Sequence, residues 1–337
     1  MTDRLSHTTD LPDDPRAEVD QLAEATTAAL RAPSILNTQP WRWQLTGNAA
    51  ELWIDRDRQL LGLDPDGRML RLSCGVALHY ALTALKAGGY EGAVSWAEDD
   101  RRPDLVARLH RGSRCAVDQS SYQAIYTRRT DRRPFADLAP TPADLSALRA
   151  AAERHGVHLR TLTPDQVPAF AAAVSRAEEL EHAAEPSAAD LTTWTTRPAQ
   201  SGDGVSPRTT TVAGHRTVAP RDFNSAQPGR LPLGEGSGRG TVYAILVTDG
   251  DEPSDWLVAG QALADVWLTL TVCRLAASPI SDVVEMRRVR ESLRQLLGGG
   301  GYPAIALRIG VPADSAAAPP SSGRRSGSDV IGLPGSP

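Results

Sequence analysis

The chain has 337 residues, of which 41% are apolar and 23% charged, and its formal net charge is −5. This composition supports a sizeable core and excludes wholesale disorder, and the length suits one large domain or two ordinary ones. The mild acidity argues against a nucleic-acid-binding protein, which carries a basic excess.

Residues 1–13 are polar and read as a disordered leader without the apolar core of a signal peptide. Asp14 and Pro15 form an N-cap and first-turn pair that opens a helix to about Arg31, and Pro33 ends it. Residues 41–46 and 51–55 alternate around Thr46-Gly47-Asn48 and predict a hairpin. Leu72, Val76, Tyr80 and Ala84 predict a helix over about 69–87, stopped by Gly88-Gly89. Strands follow at 93–97 and 105–110, and a helix at 120–128. Thr141-Pro142 opens a helix to about His155, and 157–162 is a strand. Thr163-Pro164 opens another helix to about Ala184, with Pro168 as a kink. A strand at 241–247 precedes helices over 254–277 and 283–297, the latter capped by Gly298–Gly301, and 304–309 is a last strand. From 311 the chain is an extended tail rich in Ala, Pro, Ser and Gly. Segment 196–240 has no periodicity, and a stretch of that length is either a functional lid or a disordered linker.

The basic residues are nearly all arginine, Lys86 being the only lysine. Cys74, Cys115 and Cys273 are far apart and odd in number, which fits a reducing cytoplasm better than a disulfide framework. No metal-ligand spacing occurs; His155 and His158 flank a turn without a third ligand and read as surface residues. The apolar run 266–277 is too short and too polar to span a bilayer. Gly234 to Gly240 alternates glycine but precedes a strand, the wrong polarity for a phosphate loop.

Two segments carry chemistry. The first, Ala32-Pro-Ser-Ile-Leu-Asn-Thr-Gln-Pro-Trp-Arg-Trp43, joins a helix end to a strand. Its amides could bind the edge of a planar heterocycle, or Asn37 and Gln39 could tie down their own backbone in a rigid turn. The second, Tyr126-Thr-Arg-Arg-Thr-Asp-Arg-Arg-Pro-Phe135, offers guanidinium forks and hydroxyls to an anion, or is a solvated cluster paired with Asp131 and Asp137. Gly75-Val-Ala-Leu78 and Gly260-Gln-Ala-Leu263 form a faint repeat, each in a long helix.

Together with Asp64–His79 (DPDGRMLRLSCGVALH), Arg128–Phe135 (RRTDRRPF) and Gly298–Pro303 (GGGGYP), the Ala32–Trp43 loop resembles the nitroreductase superfamily of FMN-binding proteins. Within it, the chain resembles the Acg family of dormancy-associated, actinobacterial nitroreductase-like proteins, over roughly residues 15–333. The resemblance implies an α+β, nitroreductase-like fold of two fused, diverged protomer halves, a pseudo-dimer with long central helices. The halves would be 14–118 and 119–333, with 196–240 as a lid. In ordinary nitroreductases the arginine segment precedes the loop; here the order is inverted, as fusion would produce.

The resemblance further implies one FMN per chain. Arg128 and Thr130, with Arg129 beside them, match the phosphate-binding positions. Arg132 matches the residue that reaches the ribityl chain and the pyrimidine edge, where it would stabilise anionic reduced flavin. Pro33, Ser34, Ile35 and Asn37 match the loop from the opposite half, which Gln39 braces. Arg324 and Arg325 resemble the terminal basic pair of the family, in a looser context. No protein side chain acts as catalytic acid, base or nucleophile, and no metal takes part. The implied activity is ping-pong hydride transfer from NAD(P)H to a small-molecule acceptor, a nitro compound or quinone. The alternative is an FMN-sequestering or storage protein whose lid bars turnover, and a flavin-free interaction protein is a third reading. Neither nucleic acid nor membrane is an expected partner, and the protein would be a monomer or weak homodimer in the cytoplasm.

Overall fold

The computed structural model describes residues 15–97, 101–212, 216–223, 227–313 and 318–333. The expected leader and the Asp14 cap lie outside them.

Pro15 sits in the first turn of helix α1 (Pro15–Ala29), where its missing N–H is not needed. Leu22, Ala25 and Ala29 of that helix are buried. Trp41 and Trp43 alternate with more exposed residues on β1 (Trp41–Thr46), so one face enters the core. The chain turns at Gly47 (φ +54°) into β2 (Ala49–Ile54). Helix α2 (Arg68–Ala87) starts where the Asp64 carboxylate accepts the N–H groups of Met69 and Leu70 at 3.1 and 2.8 Å. Gly89, at φ +83°, leads out of it into β3 (Tyr90–Trp96) and β4 (Leu105–Arg114).

Next come α3 (Gln119–Thr127) and α4 (Pro142–Glu153), the latter opened by a reciprocal Thr141–Asp144 capping box. After them lie β5 (His158–Thr161), α5 (Val167–Ala183) and α6 (Glu185–Thr195). Beyond residue 240 follow β6 (Val242–Thr248), α7 (Pro253–Val272), β7 (Ala276–Ile280), α8 (Asp282–Glu285), α9 (Arg287–Leu296) and β8 (Tyr302–Gly310). The chain closes with α10 (Gly327–Val330) and β9 (Ile331–Gly332).

These strands form two sheets, ordered β3-β4-β2-β1-β9 and β5-β6-β8-β7. All pairings are antiparallel except β1 with β9. Helix α2 packs on the first sheet, α7 on the second, and the two helices pack on each other. One apolar core runs through both sheets and the helix pair. The α+β class and the long central helices therefore match the expectation. The C-terminal strand crosses back to edge the first sheet, with Trp43 opposite Ile331.

Four elements differ from the sequence reading. Helix α7 ends at Val272 rather than near 277, because Arg274 takes a left-handed conformation (φ +57°). That releases Ala276–Ile280 as an edge strand, the one place in a sheet where Pro279 is tolerated. Pro168 lies in the first turn of α5 and makes no kink. The helix expected over 283–297 is broken at the extended Met286. Helix α6 was not anticipated; its Pro186, at the second position, looks like a terminator in sequence but is a starter in the fold.

Candidate functional site

A cavity of about 550 Å³ opens where the two sheets, α2, α7, segment 196–240 and the tail converge. Its size lies in the range of small-molecule sites.

One wall is the loop between α1 and β1. Leu36 (φ +42°), Asn37 (φ +56°) and Gln39 (φ +49°) all adopt left-handed backbone, a strained arrangement for side chains other than glycine. Hydrogen bonds hold it. Ser34 Oγ accepts from the Gln39 N–H at 2.8 Å, and Ser73 Oγ on α2 accepts from the Ile35 N–H at 3.2 Å. Asn37 Nδ2 donates to the carbonyls of Gly204 (3.2 Å) and Gly323 (3.3 Å). Gln39 Nε2 donates to Gly202 O (2.9 Å), and its Oε1 accepts from the Arg325 N–H (2.9 Å). These amides mainly tie the loop to segment 196–240 and to the tail rather than to their own backbone.

Six arginines line the cavity: Arg128, Arg132, Arg216, Arg221, Arg308 and Arg324. Arg221 is the neutralised one. It reaches Glu181 Oε1 on α5 at 3.0 Å and Glu285 Oε2 on α8 at 2.9 Å, and both carboxylates are fully buried. Burial pushes the Asp282 carboxyl up to about 6 and raises that of Glu181, the Arg221 charge opposing both shifts and the neighbouring acids reinforcing them. The other five have no carboxylate at ion-pair distance among the described residues.

Four of those five fall into two groups, and Arg216 stands on segment 196–240. Arg128 lies over the Trp267 ring at 4.7 Å, and its Nε and Nη1 are buried without a partner. Arg324 donates to Asn37 Oδ1 at 3.1 Å, while its Nε is buried and unpartnered. Burial lowers its pKa to about 9, and the nearby Arg128 adds to the shift. The buried Tyr80 hydroxyl lies against Arg128. In the second group, Arg132 lies over Phe223 at 4.8 Å and donates to Thr209 O at 2.9 Å. Arg308 lies over Phe135 at 4.1 Å and donates to the carbonyls of Asp131 and Arg133, each at 2.8 Å. Burial lowers the pKa of both to about 10; the positive charge of Arg221 adds to the shift at Arg132, and that of Arg216 at Arg308. Positive charge is thus concentrated in a partly desolvated site; the buried Asp131 carboxylate acts on Arg132, Arg216 and Arg308, but its ion pair is with Arg133.

Segment 196–240 is ordered over its described residues and walls the cavity through Gly204, Val205, Thr209–Thr211, Arg216, Val218–Phe223 and Gln227–Gly229. Asp203 anchors it by pairing with Arg58 and with Arg197, the latter at 2.8 Å. Val205 packs in a small apolar cluster with Leu36, Leu60, Leu63, Leu191 and Trp194.

Eight sequence-derived site residues therefore converge on one cavity: Pro33, Ser34, Ile35, Asn37, Arg128, Thr130, Arg132 and Arg324. Arg129 and Arg325 do not line it. Arg129 Nη1 donates to the carbonyls of Tyr126 and Arg128, both at 2.8 Å. Arg325 is directed to Gln39 O and to Asp55 Oδ2, at 3.3 and 3.4 Å. Sequence reasoning missed Arg216 and Arg308, which stand alone in a loop and a strand, and Ser73 and Trp267 on the long helices. It also misjudged His155. That ring meets Asp265 Oδ2 at 3.1 Å and lies edge-on to His79, with centroids 5.2 Å apart. The ligand atoms of the three lie within 4.8 Å of one another, but Arg154 already holds both Asp265 oxygens at 3.0 and 2.8 Å.

No protein-family model matches the chain. Among curated relatives, "Putative NAD(P)H nitroreductase Rv3131" of Mycobacterium tuberculosis H37Rv is 36% identical over 329 residues, 91% of this chain and 90% of the relative. "Putative NAD(P)H nitroreductase acg" of the same strain is 30% identical over 326 residues, covering 93% and 95%. Solved structures similar to this chain include the FMN-dependent nitroreductase NfnB of Mycobacterium smegmatis in complex with NADPH. The likeness has a TM-score of 0.38 at 15% identity, over 63% of this chain and 96% of that one. A nitroreductase with bound FMN from Bacteroides fragilis gives a TM-score of 0.37 at 11% identity, over 60% and 92%. The likeness to Rv3131 and acg, sustained along nearly the whole chain, establishes that this protein belongs to the nitroreductase superfamily, in its Acg-like branch.

Proposed function

We propose that this chain is an FMN-dependent NAD(P)H oxidoreductase of the nitroreductase type, with nitro compounds or quinones as acceptors. The observation that carries this reading is the set of buried arginine donors without partners around one cavity. Buried polar groups are nearly always satisfied, so orphaned donors mark the place of a missing acceptor. Arg128 Nε and Nη1 and Arg324 Nε suit a phosphate monoester, and Thr130 adds a hydroxyl at the cavity wall. Leu72, Leu263, Ile305 and Trp267 give an apolar lining suited to an aromatic ring system.

When bound, FMN supplies the two-electron carrier between the nicotinamide donor and the acceptor. The protein supplies fixed positive charge and position. Arg128 and Arg324 hold the phosphate. Arg132, immobilised by Thr209 O and Phe223, would offer a cation to the electron-rich edge of the bound ring. The strained 34–39 loop presents Ile35 and Asn37 to the same space. Donor and acceptor would take turns in the cavity, and the protons that the reduced acceptor takes up would come from solvent rather than from a protein acid. We read the chain as two fused halves, 14–118 and 119–333, with one FMN each chain and 196–240 as the lid. Such a chain contains its own pseudo-dimer interface, which suits a monomer or weak homodimer. Among the described residues no helix is long and apolar enough to cross a membrane, which suits a cytoplasmic place of action.

A second reading, FMN sequestration, is favoured by the anchoring of the lid. Asp203, Gly202, Gly204 and Arg221 each tie it to another element. Anaerobic addition of NADPH, then NADH, to the yellow protein tests the two. Rapid bleaching of the flavin bands supports the oxidoreductase, and bands that persist support sequestration.

A further inference from the structure

The proposed cofactor leaves part of the cavity's charge unused. Five arginines face the cavity without a carboxylate partner among the described residues: Arg128, Arg132, Arg216, Arg308 and Arg324. A phosphate monoester carries a charge of about −1.5 to −2 near neutrality. It engages Arg128 and Arg324, and Arg132 serves the ring edge. Arg216 and Arg308 remain.

These two are built differently. Arg308 stands on β8 and is immobilised by the carbonyls of Asp131 and Arg133 at 2.8 Å and by the Phe135 ring at 4.1 Å. Ser278, its register partner on β7, shares that face of the sheet and also lines the cavity. Arg216 belongs to the 196–240 segment. Its single side-chain hydrogen bond is Nη2 to Thr211 Oγ1 at 3.3 Å, and its Nε is buried without a partner. Arg216 lies near enough to Arg308 to lower the latter's pKa, after the effect of burial. Both line the cavity; the Asp131 carboxylate acts on each from beyond ion-pair distance and is itself held by Arg133, so burial leaves both guanidinium groups without a direct counter-ion. An anion between them would supply that counter-ion and would join segment 196–240 to the sheet.

We propose that Arg216 and Arg308, with Ser278 beside them, form a subsite for an anionic group on the electron acceptor, so that the preferred acceptors are carboxylate- or phosphate-bearing aromatics. This rests on the flavin reading above, because it assigns the charge that FMN leaves over. It makes Arg216 a specificity residue supplied by segment 196–240.

The test uses FMN-loaded protein without dinucleotide, titrated with 4-nitrobenzoate and with neutral 4-nitrobenzamide while flavin absorbance is followed. The benzoate is expected to bind at least tenfold more tightly. In Arg216→Gln, and separately in Arg308→Gln, the preference is expected to fall below threefold while the FMN-to-protein ratio stays at the wild-type value. Equal binding of the two probes, or a preference that survives in Arg216→Gln, overturns the proposal. Arg216 lies outside the sheets, so its variant keeps the test decisive if Arg308→Gln fails to fold. A preference for NADPH over NADH that Arg216→Gln abolishes, without any carboxylate preference, assigns the pair to the donor's phosphate and also overturns it. Protein that holds no FMN overturns the flavin reading itself, whereas yellow protein without charge preference overturns the subsite alone.

Discussion

Gly75 of α2 and Gly260 of α7 meet backbone to backbone at the crossing of the two long helices. A β-carbon on Gly75 would stand 2.0 Å from Leu257 O, and one on Gly260 would stand 2.0 Å from Leu72 O and 2.9 Å from the Gly75 Cα. Each glycine is the eighth residue of a 20-residue helix, so the two helices meet at equivalent points. The close backbone approach gives the glycine of each GxAL pattern a physical reason. Gly75→Ala or Gly260→Ala forces the helices apart, because the obstacle is backbone rather than a flexible side chain. Overpacking of this kind costs about 1–3 kcal/mol or more. The check is a lower urea midpoint for either variant, with the double variant losing less than the sum because the backbone has already moved.

Arg128 and Arg129 are adjacent in sequence but opposite in role. Arg128→Ala removes two unpartnered donors from the cavity wall, whereas the Arg129 guanidinium is spent on local carbonyls. Hydrogen bonds involving a charged group are worth about 1.5–3 kcal/mol each. Arg128→Ala should therefore weaken FMN binding by about 100-fold or more, and adding Arg324→Ala should leave a colourless protein after desalting. Arg129→Ala should keep its colour. Flavin fluorescence in the desalting filtrate measures all three.

Arg221 holds segment 218–223 against α5 and α8 by pairing with two buried carboxylates, with Asp282 nearby. Arg221→Met leaves those acids without a counter-charge. Breaking one side of a buried pair costs about 3–5 kcal/mol. Uncompensated carboxyls escape that cost by taking up protons, so the variant should be most unstable at high pH and recover toward pH 5. Thermal melts of the variant and wild type at pH 5 and pH 8 compare the two; an equal deficit at both would contradict the assignment.

Two buried groups impose opposite pH slopes on stability. Burial raises the Asp282 carboxyl to about 6 from an ordinary 3.8, so the folded state binds its proton more tightly than the unfolded one. Its contribution is greatest below pH 4 and is lost as pH rises through 6. Burial lowers the His79 imidazole to about 4 from an ordinary 6.5, with Nδ1 buried and unpartnered. The unfolded state then takes the proton first, so His79 lowers stability as pH falls from 6.5 toward 4. A shift of two units corresponds to about 3 kcal/mol, so the two effects largely cancel between pH 4 and 6. Asp282→Asn should expose a stability that declines toward acid, and His79→Gln one that declines toward neutrality. Denaturant titrations across that window read both slopes.

Much of this fold was legible locally. The hairpin around Gly47, the Gly88-Gly89 stop and the Thr141-Pro142 start each follow from turn and cap chemistry within a few residues. The end of α7 was not legible, because an arginine takes the left-handed position where glycine is the usual signal. The tail was read as extended because nothing local shows that Ile331 will pair with Trp43. The site divides the same way. The loop residues 33–37 and the Arg128–Arg132 segment are contiguous and stand out as motifs. Arg216, Arg308, His79 and Asp265 gain meaning only when β8, segment 196–240, α2 and α7 are brought together.

The most direct test of the central claim is the FMN-to-protein ratio of the purified chain after incubation with excess FMN and desalting, read from its absorbance spectrum. A cavity with orphaned donors at Arg128 and Arg324 predicts flavin bands at about one FMN per chain. A colourless protein, or two flavins per chain, would contradict it.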